Sequence, residues 1–333
     1  MSTPTVSVIL PGKDAEAYVA DALTSLTRQL PDAAALEVIM IDDGSTDDTS
    51  AVAMSFADRL PGLQVVRNPE AVGLASARNQ GLARATGRYV AYLDADDWLV
   101  PGHLADLVQA MDTLDVDFVR TDHVTVSGNR RALIRPPQER RGVALDPRDS
   151  ILPADRPTMV DYPYAWAGMF HRRLADRGLL TFPDGLHTAE DRPWIWRLHL
   201  QAESYAVVNA AGICYRRGIR TSLTQITDSR QLDVLSAFDQ VRRLVEADPQ
   251  TDRFWPKVVR STLAVLAHHL GRDHRMSRAD RQTLRTGAQG LLAALLSGLV
   301  ARHLRDSSLG RQARLWPMVD RRLRLSRGER VPA

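Results

Sequence analysis

Two clusters of carboxylates carry the strongest chemical signal in this chain, Asp94-Ala95-Asp96-Asp97 and Asp42-Asp43. Two carboxylates on one turn can hold a hard divalent cation through oxygen ligands, and that cation can bridge a diphosphate. Asp is also favoured in turns and at helix caps, so the spacing leaves both readings open. In Asp42-Asp43-Gly44-Ser45-Thr46-Asp47, Ser45 with Asp48 fits a capping box for a following helix. That box leaves Asp42 and Asp43 unexplained. A carboxylate there can accept from a base N–H or a ribose hydroxyl, and Asp43, nearest the turn, is the better candidate.

A third acidic group, Thr188-Ala189-Glu190-Asp191, precedes an apolar stretch with Trp194 and Trp196. A carboxylate beside a sugar-stacking tryptophan is a good general base for a hydroxyl. Thr188 and Asp191 also fit a capping box, although Pro193 would then fall just past the first turn and cost a backbone bond. Tyr215-Arg216-Arg217, with Arg220 beyond, offers fork donors for a diphosphate. His123, His187 and His199 stand alone in the sequence and read as ordinary histidines.

The elements that must position these groups alternate. Residues 5–10 (TVSVIL), 36–41 (LEVIMI), 63–66 and 89–93 (YVAYL) are short apolar or β-branched runs that read as buried strands. Between them, helices are predicted from Tyr18 through Leu30, over 49–60 and over 73–85, the last rich in small residues. A helix opening at Pro101 and a strand at 117–120 follow. This order predicts an α/β fold with a mostly parallel central sheet covered on both faces. Ligands in such sheets bind beyond the carboxyl ends of the strands, where both Asp clusters fall. Residues 130–157, rich in Arg and Pro, read as a long irregular loop. A helix is predicted over 188–205. After Thr224 the pattern becomes helical only, with segments near 232–246, 255–270, 279–302 and 309–325. The expected organisation is an α/β domain over 1–225 and an all-helical appendage over 226–333.

With 333 residues, 44% apolar and 25% charged, the chain is globular in composition, which excludes disordered, collagenous and coiled-coil classes. It has no apolar run long enough for a transmembrane helix and no basic residue ahead of its first apolar run. Its single cysteine, Cys214, excludes an internal disulfide framework. The expectation is a soluble cytoplasmic protein. Of 43 basic residues only Lys13 and Lys257 are lysines. From Arg302 to Arg330, nine arginines face only Asp306, Asp320 and Glu329. The positive charge is therefore local, which argues against a nucleic-acid surface. It suits an anionic polymer or the inner membrane face, or a solvated helix end.

Taken together, VSVILP, YVADALTSLTRQ, EVIMIDDGSTDDT, NPEAVGLASARNQGLARATGRYVAYLDADDWLVP, AEDRPWIWRL and CYRRGIRTSLT resemble the family 2 glycosyltransferases, which share the GT-A fold. Their order and spacing match over roughly residues 5–224. The resemblance implies inverting transfer of a sugar from a nucleotide donor to a cell-surface glycan or teichoic-acid-type polymer. It implies a nucleotide site of Pro11, Asp14, Asp43, Arg78, Asp94 and Ala95. Asp43 would contact the base and Asp94 the ribose, and Arg216 or Arg220 would close on the diphosphate. Asp96 would hold Mn2+ or Mg2+. Asp191 would be the general base with Glu190 beside it, and His187, Arg192 and Trp194 would contact the acceptor.

Family members commonly carry an aromatic, often Tyr-Asn, after the first strand. Here Lys13-Asp14 stands in that place, so UDP is the default carrier while GDP, dTDP and CDP stay open. By analogy with similar bacterial enzymes, the appendage would bind acceptor or membrane, or form a homo-oligomer. Rival readings are a catalytically weak scaffold of the same fold or a nucleotide-sugar pyrophosphorylase. The latter lacks its Gly-rich, basic phosphate loop, because PGKDAEAY follows the first strand. A dinucleotide dehydrogenase lacks G-x-G-x-x-G at that point.

Overall fold

The VSVILPG run is β-branched and apolar, and it forms a strand buried on both faces, as a central parallel strand must be. This is β1 (Val6–Gly12). A computed structural model describes residues 3–219 and 228–319. In chain order β1 is followed by α1 (Glu16–Leu26), β2 (Leu36–Asp42), α2 (Thr49–Met54), β3 (Leu63–Arg67), α3 (Leu74–Leu82) and β4 (Tyr89–Tyr92). Then come β5 (Trp98–Leu99), α4 (His103–Leu114), β6 (Phe118–Ser127), β7 (Arg130–Ile134), β8 (Gly168–His171), α5 (Arg173–Asp176), α6 (Asp191–Gln201) and β9 (Tyr205–Arg216). The sheet runs β3-β2-β1-β4-β8-β6-β9-β5, with β7 paired to β6.

The first four strands are parallel to one another, as the alternation of elements predicts. Beyond them the sheet is mixed. β8 is antiparallel to both β4 and β6, β9 is parallel to β6, and β5 is antiparallel to β9. The expected mostly parallel order therefore holds for one half only. Register shifts between Thr121 and His123 where β6 meets β9.

The small residues of α3 let it press on the sheet. A Cβ on Gly81 would sit 2.4 Å from Cγ2 of Ile9 in β1, so only glycine permits the approach. Part of 130–157, expected as irregular, is instead the strand β7, antiparallel to β6 over five residues. Its side chains are almost all exposed, so no apolar alternation signalled it.

Contacts divide the described chain into two units: residues 3–150 with 158–219, and residues 151–157 with 228–319. Residues 151–157, read from sequence as part of a loop, thus belong with the helices. The second unit comprises α7 (Asp233–Glu246), α8 (Thr251–Leu270), α9 (Arg278–Ala294), α10 (Ser297–Arg305) and α11 (Leu309–Leu315). α7 buries Val234, Ala237, Phe238, Val241 and Val245, one helical stripe. In α8 Lys257 is fully buried, and its ammonium donates to the Arg156 carbonyl at 2.8 Å. The single helix expected over 279–302 breaks after Ala294, because Leu295 turns extended and buries its side chain. No single helix among the described residues is long and apolar enough to cross a membrane.

Candidate active site

The parallel strands bring three acidic loops to one edge of the sheet. The loop after β1 is lashed to the loop after β2. Asp14 accepts from the Thr46 amide at 2.8 Å and the Thr46 hydroxyl at 3.1 Å, and its own amide donates to Ser45 Oγ at 2.9 Å. Ser45 is therefore spent between loops and does not cap α2; the expected Ser45–Asp48 box does not form. Asp42 is fully buried and accepts from the Ser45 amide at 2.9 Å and from the Ser50 hydroxyl. Gly44 takes a φ of +70°, and a Cβ there would meet the Ala71 nitrogen at 2.7 Å.

Asp43 is almost fully buried and accepts from Asn68 Nδ2 at 2.9 Å, the Val72 amide at 2.8 Å and the Gly73 amide at 2.9 Å. Three donors occupy its carboxylate and fix the loop entering α3. A base contact by this residue, as the resemblance implies, would have to use its one remaining lone-pair site. Pro11 is buried, its carbonyl accepting from the Ala95 amide at 3.3 Å. This bond ties the end of β1 to the Asp94–Asp97 turn.

Within that turn, Asp94 and Asp96 are partly exposed and Asp97 is fully buried. Burial and the neighbouring Asp94 push the Asp96 carboxyl up to about 6. Burial, with Asp96 and Asp94 beside it, raises Asp97 well above the ordinary carboxylate range. Asp97 accepts from the Arg216 amide at 2.6 Å, and its other oxygen, though buried, has no partner. Crowded hard carboxylate oxygens on a strand-end turn are the chemistry a Mg2+ or Mn2+ ion suits, provided a diphosphate completes the shell. Among the described residues no group of three or more His, Cys, Asp or Glu side chains could hold a metal unaided.

Arg216 differs from expectation. Its Nε donates to the Asp96 carbonyl at 2.9 Å and its Nη2 to Asp21 at 2.8 Å, and it stacks over Trp98 and Tyr18 at 4.6 and 5.2 Å. It braces the acidic turn from β9. Arg220 lies outside the described residues.

The feature that sequence reasoning missed is a bridge. Arg78 on α3 is buried, donating from Nη2 to Asp94 at 2.9 Å and from Nη1 to Glu190 at 2.8 Å. Burial opposes the charge on Arg78, but Asp94 and Glu190 outweigh it and hold the guanidinium above its usual range. The carboxylate at the end of β4 and the pair before α6 are thereby joined through one cation. Ala189 holds a φ of +60°, unusual for a residue with a Cβ, and turns the chain into Glu190.

Glu190 and Asp191 part company in this setting. Glu190 is buried on Arg78, and burial pushes its carboxyl up to about 7, with Arg78 pulling the other way. Asp191 opens α6, its side chain is 27% exposed, and Arg192 Nε lies 3.8 Å from it. Burial raises its carboxyl as well, with Arg192 and Arg78 opposing. The N-cap position falls on Glu190 with no side-chain cap bond, so the Thr188–Asp191 capping box does not form.

His187 is exposed, its ring 3.6 Å from where a Cβ of Gly73 would lie, and Arg192 is half-buried. Trp194 is a correction. It is fully buried, stacked on Phe182 at 5.2 Å and edge-on to Phe170, and it presents no surface to an acceptor. Trp196 is buried too.

A second buried arginine also went unread. Arg120 in β6 has zero exposure and, among the described residues, no carboxylate partner. Its Nη2 donates to the Tyr162 and Tyr164 carbonyls at 3.0 and 2.7 Å, while Nε and Nη1 are unpaired. Burial pulls its pKa down to about 10. In the sequence Arg120 is one of three charged residues in DFVRTDHV, beside Asp117 and Asp122, so nothing local marked it as buried.

Comparison with known proteins follows the same outline. A family model described as Glycosyl transferase family 2 matches residues 7–179. The uncharacterized glycosyltransferase EpsJ of Bacillus subtilis is 28% identical over 69% of this chain and 66% of its own length. The minor teichoic acid biosynthesis protein GgaB of Bacillus subtilis is 31% identical over 32% of this chain and 12% of its own length. The match thus spans less than two thirds of either relative. The crystal structure of S. aureus TarS 1-349 in complex with UDP-GlcNAc superposes with a TM-score of 0.73 at 19% identity, over 89% of this chain and 82% of that one. It shares the fold, a GT-A sheet with a helical C-terminal region.

Proposed function

This chain belongs to glycosyl transferase family 2, and from that premise we propose that it moves a sugar, with inversion, from a nucleotide-diphosphate donor to a hydroxyl of a cell-surface glycan or teichoic-acid-type polymer. The observation that carries the proposal is the Arg78 bridge. It sets a strand-end acidic turn, suited to a metal–diphosphate, against an accessible carboxylate, Asp191, suited to deprotonating an acceptor. UDP is the default carrier, and the similarity to a protein solved with UDP-GlcNAc supports it.

In this reading Asp191 takes the acceptor proton as the acceptor oxygen bonds to the anomeric carbon and the bond to the diphosphate oxygen breaks. Glu190 holds Arg78, and Arg78 holds Asp94 toward the ribose. Arg216 keeps the acidic turn in place through the Asp96 carbonyl. Mn2+ or Mg2+ on Asp96 would offset the negative charge that develops on the leaving diphosphate. The helical unit and the Arg-rich stretch after Arg302 would engage an anionic polymer or the cytoplasmic membrane face, or mediate self-association. Cosedimentation with anionic liposomes and with polymer, before and after truncation at residue 225, tests that part.

The central test is calorimetry with UDP in Mn2+ and in EDTA, on wild type and Asp96→Asn. Ligand binding to the native state also appears as a rise in melting temperature. We expect metal-dependent binding that Asp96→Asn weakens. Equal affinity in Mn2+ and EDTA would remove the metal from the mechanism. No binding of any nucleotide diphosphate would sink the transferase reading.

A further inference from the structure

Five rings from three parts of the chain meet beside the acidic turn. His123 of β6 lies 4.8 Å from Trp166, 4.9 Å from Tyr164 and 5.6 Å from Tyr162 between ring centres. Tyr164 stacks on Trp166 at 4.8 Å, and Tyr215 of β9 lies 5.1 Å from Trp166 and 6.4 Å from Tyr164. His123, Tyr162 and Trp166 are buried, whereas Tyr164 and Tyr215 are partly exposed. The cluster thus has a closed floor and two tyrosines that are partly exposed.

Packing alone does not account for this arrangement. The segment bearing Tyr162 and Tyr164 is held by Arg120, a buried cation that has no counter-ion among the described residues and donates to both their carbonyls. Burying such a charge is costly, and what it secures is the position of the ring-bearing segment. The cluster also borders the candidate active site. Tyr215 immediately precedes Arg216, whose amide bonds Asp97. Exposed Arg217 sits over the Tyr215 ring at 5.4 Å and adds a donor at its rim.

We propose that Tyr164 and Tyr215 form the platform on which a sugar ring of the acceptor rests, so that the acceptor is a pyranose-bearing glycan rather than an open-chain polyol phosphate. This rests on the glycosyl-transfer reading and deepens it. The faces of aromatic rings are electron-rich and attract partly positive C–H groups. A pyranose offers a flat face of such groups with hydroxyls around the edge, for which the tyrosine hydroxyls, Arg217 and the nearby carboxylates are complementary. An extended polyol phosphate has no such face. The ring-contact role expected of Trp194 passes to these two tyrosines.

The test is saturation-transfer NMR on the full chain with UDP and Mn2+, using methyl β-glucopyranoside, methyl N-acetyl-β-glucosaminide and ribitol 5-phosphate as probes. Ring protons of at least one pyranoside should receive saturation, and ribitol phosphate should not. Tyr164→Ala and Tyr215→Ala should each weaken that binding roughly three- to tenfold, while Tyr164→Phe and Tyr215→Phe retain most of it. No transfer to either pyranoside, stronger binding of ribitol phosphate, or unchanged affinity in both alanine variants would overturn the platform. UDP calorimetry on the same samples separates the two levels. Wild type that fails to bind UDP counts against the transferase reading, and variants that still bind it are folded, so their acceptor data bear on the platform alone.

Discussion

The two halves of the sheet each bury an arginine, and they treat it in opposite ways. In the parallel half Arg78 sits between two carboxylates, and its charge is stabilised beyond the usual range. In the antiparallel-flanked half Arg120 meets only carbonyls and rings, and its charge is destabilised. The first cation links the strand-end turn to the carboxylate pair before α6; the second holds the segment that carries Tyr162 and Tyr164. A buried charge is thus no single kind of evidence, and its partners decide whether it marks chemistry or scaffolding.

The sharpest way to use this contrast is at the carboxylate nearest the Arg78 bridge that remains accessible. Asp191→Asn should lower transfer roughly 10²–10⁴-fold with nucleotide binding and melting temperature nearly unchanged. Near-normal turnover in Asp191→Asn together with a comparable loss in Glu190→Gln would move the base to Glu190. Next, Arg78→Met strands Asp94 and Glu190, and removal of one partner from a buried pair costs about 3–5 kcal/mol. A fall of that size should appear in the urea midpoint of the α/β unit, and UDP binding should weaken as well.

Arg120→Met should be milder. It leaves two carbonyls short of a donor, which costs about 1–3 kcal/mol, but it also relieves an unpaired buried charge. Its urea midpoint should fall less than that of Arg78→Met while pyranoside binding drops and UDP binding persists. If Arg120→Met proved the more damaging of the two, the distinction between paired and unpaired cations drawn here would be wrong.

The smallest effect is in pH dependence. The folded protein raises Glu190 from 4.5 to about 7, so it binds a proton more tightly than the unfolded chain does. Its contribution is therefore fully present below pH 4.5 and is lost as pH rises through about 7. Glu190→Gln should flatten the stability profile across that window relative to wild type. An unchanged slope between those values would show that Arg78 keeps Glu190 ionised throughout. The raised pKa of Asp191 implies, in parallel, that transfer by wild type falls as acid protonates the base, starting above the ordinary aspartate range.

By itself the sequence determined the first four strands, their helices and the placing of both Asp clusters at strand ends. Those follow from local periodicity and from loop residues adjacent in the chain. The helix that Asp191 opens was also legible, because its apolar pattern lies within a few consecutive residues. Only the tertiary structure decided which of these polar groups were already spent. Ser45 went to Asp14 rather than to a cap, Asp43 to the loop before α3, and Arg216 to the Asp96 carbonyl. It likewise turned Trp194 inward, made a strand of exposed residues 130–134, and brought Arg78 to Glu190 across 112 residues of sequence. The reason is common to all of them. A side chain's partners are fixed by strand order and helix packing between distant segments, and neither leaves a periodic trace in the chain that carries the residue.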